Sequence, residues 1–184
     1  KKYNKKIIVD AISSFGGIPI DIKNLDIDYL VGSSNKCLHG FPGLSFVIAK
    51  TDTIEECHGN SNTLCMDIYD QYCDLNLENQ FRFTPPVQII NSLNMSLDQL
   101  IQDGGIKSRY RMYKNSNNII NNELKTIGFT DYVNKSICSP VVSTYKIPKY
   151  VKEFDFNLFS HNLRKKNVVV YPSPINDPTL LRLG

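Results

Sequence analysis

Tryptophan is absent from the 184 residues, and methionine and histidine are scarce, at three each. No apolar stretch approaches the roughly eighteen residues of a membrane-spanning helix. An excess of one charge is also missing: 21 Lys and Arg against 18 Asp and Glu leave a formal charge of +3, too small and too dispersed for a nucleic-acid surface. The densest basic run, Arg164-Lys165-Lys166, is short and reads as a solvated helix end. Five cysteines are an odd number, irregularly spaced and without a secretory signal pattern. A reducing, cytoplasmic setting is therefore expected. Cys57, His58, Cys65 and Cys73 lack the close cysteine pairs of structural zinc sites, so no metal is expected. The first residue is Lys1, not methionine, and a strand-like segment follows within ten residues, which suggests a piece of a longer protein.

What is present is ordinary for a globular fold, at 41% hydrophobic and 21% charged residues. Ile7-Ile8-Val9, ending at Asp10, is a continuous β-branched run of the kind that suits a strand covered on both faces in a parallel sheet. Residues 27–31 and 44–49 read as two more strands. Three strands joined by loops, with no clear long helix between them, predict part of a larger α/β sheet, mostly parallel. Alone they would leave open edges. Thr84-Pro85-Pro86 reads as a helix start. Val87, Ile90, Leu93, Leu97 and Leu100 or Ile101 follow at the spacing of a buried stripe, and Gly104-Gly105 ends it. A second helix is predicted over 106–127, with Tyr113, Ile120, Leu124 and Ile127 inward and Gly128 as its stop. The Asn-rich stretch near 115–122 fits an exposed helix face. Beyond it, residues 140–145, 167–171 and 180–183 read as strands, and Phe156, Phe159 and Leu163 fall at helical spacing. The expected organisation is residues 1–103, then a small α+β unit over 104–184.

One lysine stands apart. In SSNKCLHGFPGLSF, Lys36 follows an apolar run and precedes Gly40, Pro42 and Gly43, which shape a tight turn. Asp10 and Lys36 each sit just beyond the carboxyl end of a predicted strand, where open α/β sheets bind ligands. If those strands are neighbours, the two residues face one crevice. Such a pair can be a plain ion pair. It can also hold a heterocyclic aldehyde, with the amine at the carbonyl carbon and the carboxylate at the ring nitrogen, as pyridoxal phosphate requires. A lysine released from that bond can then carry a proton between carbons.

Three motifs sharpen this. VDAISSFGGIPID (9–21), DYLVGSSNKCLHGFPGLSFVIA (28–49) and RFTPP (82–86) resemble the 2-aminoethylphosphonate–pyruvate transaminase family, of the class V, fold-type-I aminotransferases that use pyridoxal 5'-phosphate. The likeness runs nearly to the final LRLG. It implies the later part of a large cofactor-binding domain followed by a small α+β C-terminal domain. It also implies transfer of an amino group from 2-aminoethylphosphonate to pyruvate, a step in phosphonate degradation, by a homodimer with its active sites at the interface.

Matched motif to motif, Lys36 resembles the lysine that bonds the cofactor's aldehyde, and Asp10 the partner of its ring nitrogen. Ile12, two residues on, would point with Asp10 and pack on one ring face. Asn35 resembles a position near the cofactor phosphate, and Thr84 the threonine that reaches the neighbouring subunit's phosphate. Arg182 resembles the arginine that clamps the substrate's acidic group. Plainer roles exist for Thr84 as a helix cap and for Arg182 as a strand-surface charge. Cys37 is expected to be a small buried residue and His39 a loop residue.

The resemblance begins midway through the family's large domain. The turn that cups the phosphate, the aromatic residue over the ring and the N-terminal substrate loop are thus expected outside this chain, which alone would be inactive. Alternatives are an alanine–glyoxylate or serine–pyruvate transaminase, or a non-catalytic remnant that serves as a partner module. Asn35, where cysteine desulfurases usually carry histidine, argues against that relative.

Overall fold

In the computed structural model of this protein, which describes residues 3, 5–173 and 177–184, the first β-branched run forms strand β1 (Ile8–Asp10). It pairs in parallel with β2 (Tyr29–Ser33), with Ile8 opposite Tyr29 and Asp10 opposite Val31. Strand β3 (Ser45–Ala49) lies on the other side of β2 and runs antiparallel to it. Of the two pairings in this part of the sheet, one is parallel, as expected of the larger sheet, and one is antiparallel. A parallel return needs a crossover of about a dozen or more residues, usually a helix. The connection over 34–44 contains no helix, so the chain turns back on itself.

Ala11, Ile27 and Leu30 form the buried centre of this layer, flanked by Ile7, Val9, Phe15, Ile20 and Ile22. The end of the sheet where β1 and β2 begin is tied by one carboxylate. Buried Asp28 accepts from the Ile7 amide at 2.7 Å and from Lys50 Nζ at 2.9 Å. Lys50 also pairs with Asp26, and those two carboxylates, Asp26 first, push its pKa upward.

Two short helices follow that hydrophobic periodicity did not signal, α1 (Thr51–Glu55) and α2 (Ile68–Cys73). Both are too short to show a stripe. Asp67 caps α2 by accepting from the Tyr69 and Asp70 amides. A single wide turn of π geometry, Asp74–Glu78, continues it. Helix α3 (Val87–Gln102) begins after the two prolines, as its sequence predicts. Its inward face differs: Val87, Leu97 and Ile101 are exposed, while Ile89, Ile90, Ser92, Leu93, Ser96 and Leu100 are partly or fully buried. Two inward serines meet backbone: Ser92 Oγ accepts from the Phe41 amide, and Ser96 lies against Gly40.

Helix α4 (Gly105–Thr126) occupies the second predicted span, and Gly128 follows it at φ 89°. The chain parts into two compact units within this helix, residues 1–109 and 110–184. The division falls a few residues beyond the compositional break at Gly104, and the Arg109 side chain bonds within the first unit. Ile120 and Ile127 are exposed, against expectation. In the Asn-rich stretch, Asn117 and Asn121 are instead half-buried, and Asn117 Nδ2 donates to Ser143 Oγ at 2.6 Å.

The second unit holds an antiparallel sheet in the order β4 (Thr130–Asp131), β5 (Ser143–Lys146), β6 (Leu180–Leu183), with Tyr145, Leu180 and Leu181 buried. Asp155 caps α5 (Phe156–Arg164). The run Asn167–Tyr171 is not a strand. Asn167 takes a left-handed φ of 58°, the Val168 amide bonds back to Leu163, and Val168, Val169 and Tyr171 stay exposed. Both flanks of β5 are already taken by β4 and β6, so this β-branched run lies beside no central strand. Among the described residues no helix is long and apolar enough to cross a membrane.

Candidate functional site

Because β1 and β2 are parallel neighbours, their carboxyl ends open on the same side of the sheet. Asp10 closes β1. Its Oδ1 accepts from the Ile12 amide at 2.9 Å, while the Ser14 and Phe15 amides bond to the Ala11 carbonyl. The chain therefore bends immediately after Asp10. Ile12 lies in that bend, half-buried, so the two-residue alternation expected to align it with Asp10 does not apply there. Asp10 is exposed, and its second oxygen, Oδ2, has no hydrogen-bond partner among the described residues.

Lys36 lies three residues beyond β2, exposed, on a turn that is heavily braced. Buried Ser34 supplies most of the bracing. Its hydroxyl donates to the Phe41 carbonyl at 2.5 Å and lies 3.2 Å from that of Leu44, its amide donates to Leu44 and its carbonyl accepts from Gly40. The His39 amide closes back on the Lys36 carbonyl at 3.0 Å. Helix α3 supports the far side. Ser92 Oγ accepts from the Phe41 amide at 3.2 Å. Gly43 takes a φ of 119°, where a methyl group would stand 2.5 Å from Ile89 Cδ1. Only glycine fits both that backbone and that contact. By contrast, the Lys36 ammonium has no hydrogen bond or ion pair among the described residues.

The two turns are joined to each other. Cys37, 3% exposed, donates its thiol to the Ser13 carbonyl at 3.3 Å. Gly16 sits so close to Leu38 that a methyl there would be 2.6 Å from Leu38 Cδ2. The turn after Asp10 and the turn bearing Lys36 thus form one packed platform. Asn35 belongs to it, exposed, with its Oδ1 accepting from Ser33 Oγ at 3.2 Å. His39 has a left-handed φ of 65°. Partial burial first, then the positive Arg109, lower its imidazole pKa, while Asp103 opposes them.

Thr84 is elsewhere in the first unit, exposed on the loop before α3, which Arg82 anchors by an ion pair to Asp70. The capping position of α3 is Pro86, and no side chain caps the helix, so Thr84 does not serve as the cap. Arg182 lies in the second unit, at the middle of β6 opposite Thr144, half-buried and unpaired among the described residues. Among the described residues no group of three or more His, Cys, Asp or Glu side chains could hold a metal ion.

Three residues around Lys36 escaped the sequence reading: Ser34, Ser92 and Arg109. The serines had no readable signal, since turn serines are common. Arg109 had one. A lone arginine in register with Ile106 and Tyr113 on the inward side of a helix calls for a buried acceptor.

Residues 1–171 match the model of the family described as aminotransferase class-V. A 2-aminoethylphosphonate–pyruvate transaminase of Lysinibacillus sphaericus is 37% identical over 182 residues, covering 99% of this chain and 49% of that protein. The structure of pyridoxamine–pyruvate aminotransferase from Mesorhizobium loti superposes with a TM-score of 0.86 at 24% identity, over 100% of this chain and 47% of that one. A phosphoserine aminotransferase from Trichomonas vaginalis with pyridoxal phosphate bound gives 0.80 at 17% identity, over 97% and 48%. The structural likenesses show a shared fold. The chain spans about half the length of the curated relatives it matches.

Proposed function

This chain belongs to the class-V aminotransferases, and from that membership we propose that it is the lysine-bearing half of a pyridoxal-phosphate-dependent transaminase acting on 2-aminoethylphosphonate and pyruvate. The observation that carries the reading is the platform: an unpartnered ammonium, Lys36, on a turn locked to the turn that follows the carboxylate of Asp10. The residues fit the cofactor chemically. The amine is free to bond an aldehyde, and the carboxylate keeps one oxygen uncommitted for a protonated ring nitrogen. Pyridoxal phosphate, when bound, would supply the aldehyde and an electron-withdrawing ring that stabilises negative charge on the carbon bearing the amino group.

Each residue then has a defined task. Lys36 would hold the cofactor through Nζ, and the same Nζ, as a free amine, would serve as the base that takes the proton from the amino-bearing carbon of the substrate. The Asp10 carboxylate favours the protonated ring nitrogen, because opposite charge stabilises the charged form. Ile12, placed by the bend rather than by strand alternation, would cover one ring face, and Asn35 and Thr84 would serve the phosphate, Thr84 across a homodimer interface. Arg182 binds the phosphonate or carboxylate with a planar pair of donors. The overall reaction exchanges an amino group for a carbonyl oxygen: 2-aminoethylphosphonate becomes phosphonoacetaldehyde and pyruvate becomes alanine, with no net redox change. The relatives named for this reaction support the substrate.

The test is spectroscopic. The protein is assembled with the remaining half of the family's length, supplied on the same or a second polypeptide, and loaded with pyridoxal phosphate. We expect a visible absorption band, absent from the cofactor-free protein, that 2-aminoethylphosphonate bleaches and pyruvate restores. A band bleached by alanine or serine but not by the phosphonate would redirect the substrate. No band, with Asp10 and Lys36 intact, would reject the cofactor reading.

A further inference from the structure

Arg109 is the most buried cation among the described residues, with its side chain 5% exposed. A buried guanidinium is costly unless its donors are matched. Nη1 donates to the Cys37 carbonyl at 2.8 Å, and Nη2 lies 3.4 Å from Asp103 Oδ2. Gln99 Nε2 holds the other Asp103 oxygen at 2.8 Å. The chain of contacts thus runs from the end of α3, through Asp103 and Arg109, to the carbonyl of Cys37, the residue that follows Lys36. Cys37 is also held by its thiol, bonded to the Ser13 carbonyl. Resting on the reading of Lys36 as the cofactor amine, we propose that Arg109 is a positioning residue that fixes the Cys37 carbonyl and thereby the direction in which Lys36 leaves its turn.

The chemistry of the acceptor supports this. A carbonyl facing a charged donor is held more tightly than one facing a neutral donor. The guanidinium is planar and can meet a carbonyl and a carboxylate at once in fixed directions; an ammonium is a point charge on a flexible stem. Stability alone would not require the bond to fall on this particular peptide. Ser34 already closes the turn from within. What Ser34 does not fix is the carbonyl beyond Lys36, and Arg109 takes that one.

Two readouts on the assembled protein separate this proposal from the reading it rests on. First, pyridoxal phosphate is captured with borohydride and the modified lysines are mapped by mass spectrometry. Capture at Lys36 in the unaltered protein supports the reading; capture only at other lysines overturns both. Given capture at Lys36, Arg109→Lys is expected to slow it at least tenfold while capture at exposed Lys107 stays constant. Second, without cofactor, deuterium uptake at the His39 and Gly40 amides should rise about tenfold in Arg109→Lys, with uptake in β2 and β3 unchanged. A purely structural role would instead raise uptake throughout the sheet and leave Lys36 capture in the folded fraction as it was. Should Arg109→Lys fail to fold, Asp103→Asn, at a half-exposed position, carries the test with an expected threefold effect on both readouts. A folded variant of either kind with Lys36 capture and His39 and Gly40 uptake at the unaltered rates overturns the proposal.

Discussion

The Cys37 thiol donates to the Ser13 carbonyl, 24 residues away in sequence, and so ties the turn that follows Asp10 to the turn that bears Lys36. It gives Cys37 a packing role, while the neighbouring Lys36 ammonium has no partner among the described residues.

Lys36→Ala should abolish covalent cofactor capture at this position and lower transamination by the assembled protein by about a thousandfold or more, given the usual size of nucleophilic and proton-transfer contributions. Because Lys36 is exposed and unpaired, the melting temperature without cofactor should stay within about 1 °C. Measuring both in one preparation checks the assignment; a variant that keeps a tenth of the activity would refute it.

Asp10→Asn should retain capture at Lys36 but slow proton removal from the substrate by about a hundredfold or more, because a neutral amide no longer favours the protonated ring. Single-turnover bleaching with 2-aminoethylphosphonate reads that step. Oδ1 of asparagine can still accept from the Ile12 amide, so the turn itself should persist.

Gly43→Ala places a methyl against Ile89 at a φ of 119°. The cost should be about 2–3 kcal/mol of unfolding free energy, from backbone strain together with overpacking. Urea denaturation measures it. Trimming the opposing side chain, Ile89→Val, should recover only the packing part.

His39 gives the fold an acid-sensitive element. Its folded-state pKa is lowered, by partial burial and then by Arg109. The unfolded chain therefore binds the proton first, as pH falls below about 6.5. This contribution is complete above that value and lost as pH falls through the lower folded pKa. His39→Gln should flatten the stability profile on the acid side of pH 6.5. Tyr29 acts at the other extreme. Burial first, then its hydrogen bond with Cys57, raise it to about 12. Its contribution is present below pH 10 and lost as pH rises through about 12. Tyr29→Phe should remove that alkaline loss, and with it the hydrogen bond to the Thr53 carbonyl, worth about 1 kcal/mol.

Legibility from sequence followed the physics of each element. Leu180–Leu183 was readable as a strand, because four residues of dense apolar character at a chain position with turn residues before them leave little choice. The equally β-branched 167–171 misled, since a strand also needs a free neighbour to pair with, and pairing is not written locally. The apolar face of α3 was placed in part: Ile90, Leu93 and Leu100 are inward as expected, but Val87 and Leu97 are exposed, and Ser92 and Ser96 take inward positions where the helix meets the backbone of the Lys36 turn. Asp10 and Lys36 could be singled out by their places at strand ends, but the parallel pairing that puts those ends side by side had to be assumed. Arg109 was visible only as an anomaly, a charge in an inward register, and its acceptor lay 72 positions away.

Asp28 has a consequence of its own. One carboxylate gathers the entry to β1, the entry to β2 and the exit from β3 at the margin of the sheet opposite the lysine turn. The fastened margin and the margin that carries Asp10 and Lys36 are thereby opposite rims of the same layer. Substitution on the Lys36 rim can leave the tie that gathers three strand ends intact, whereas a change at Asp28 loosens all three at once.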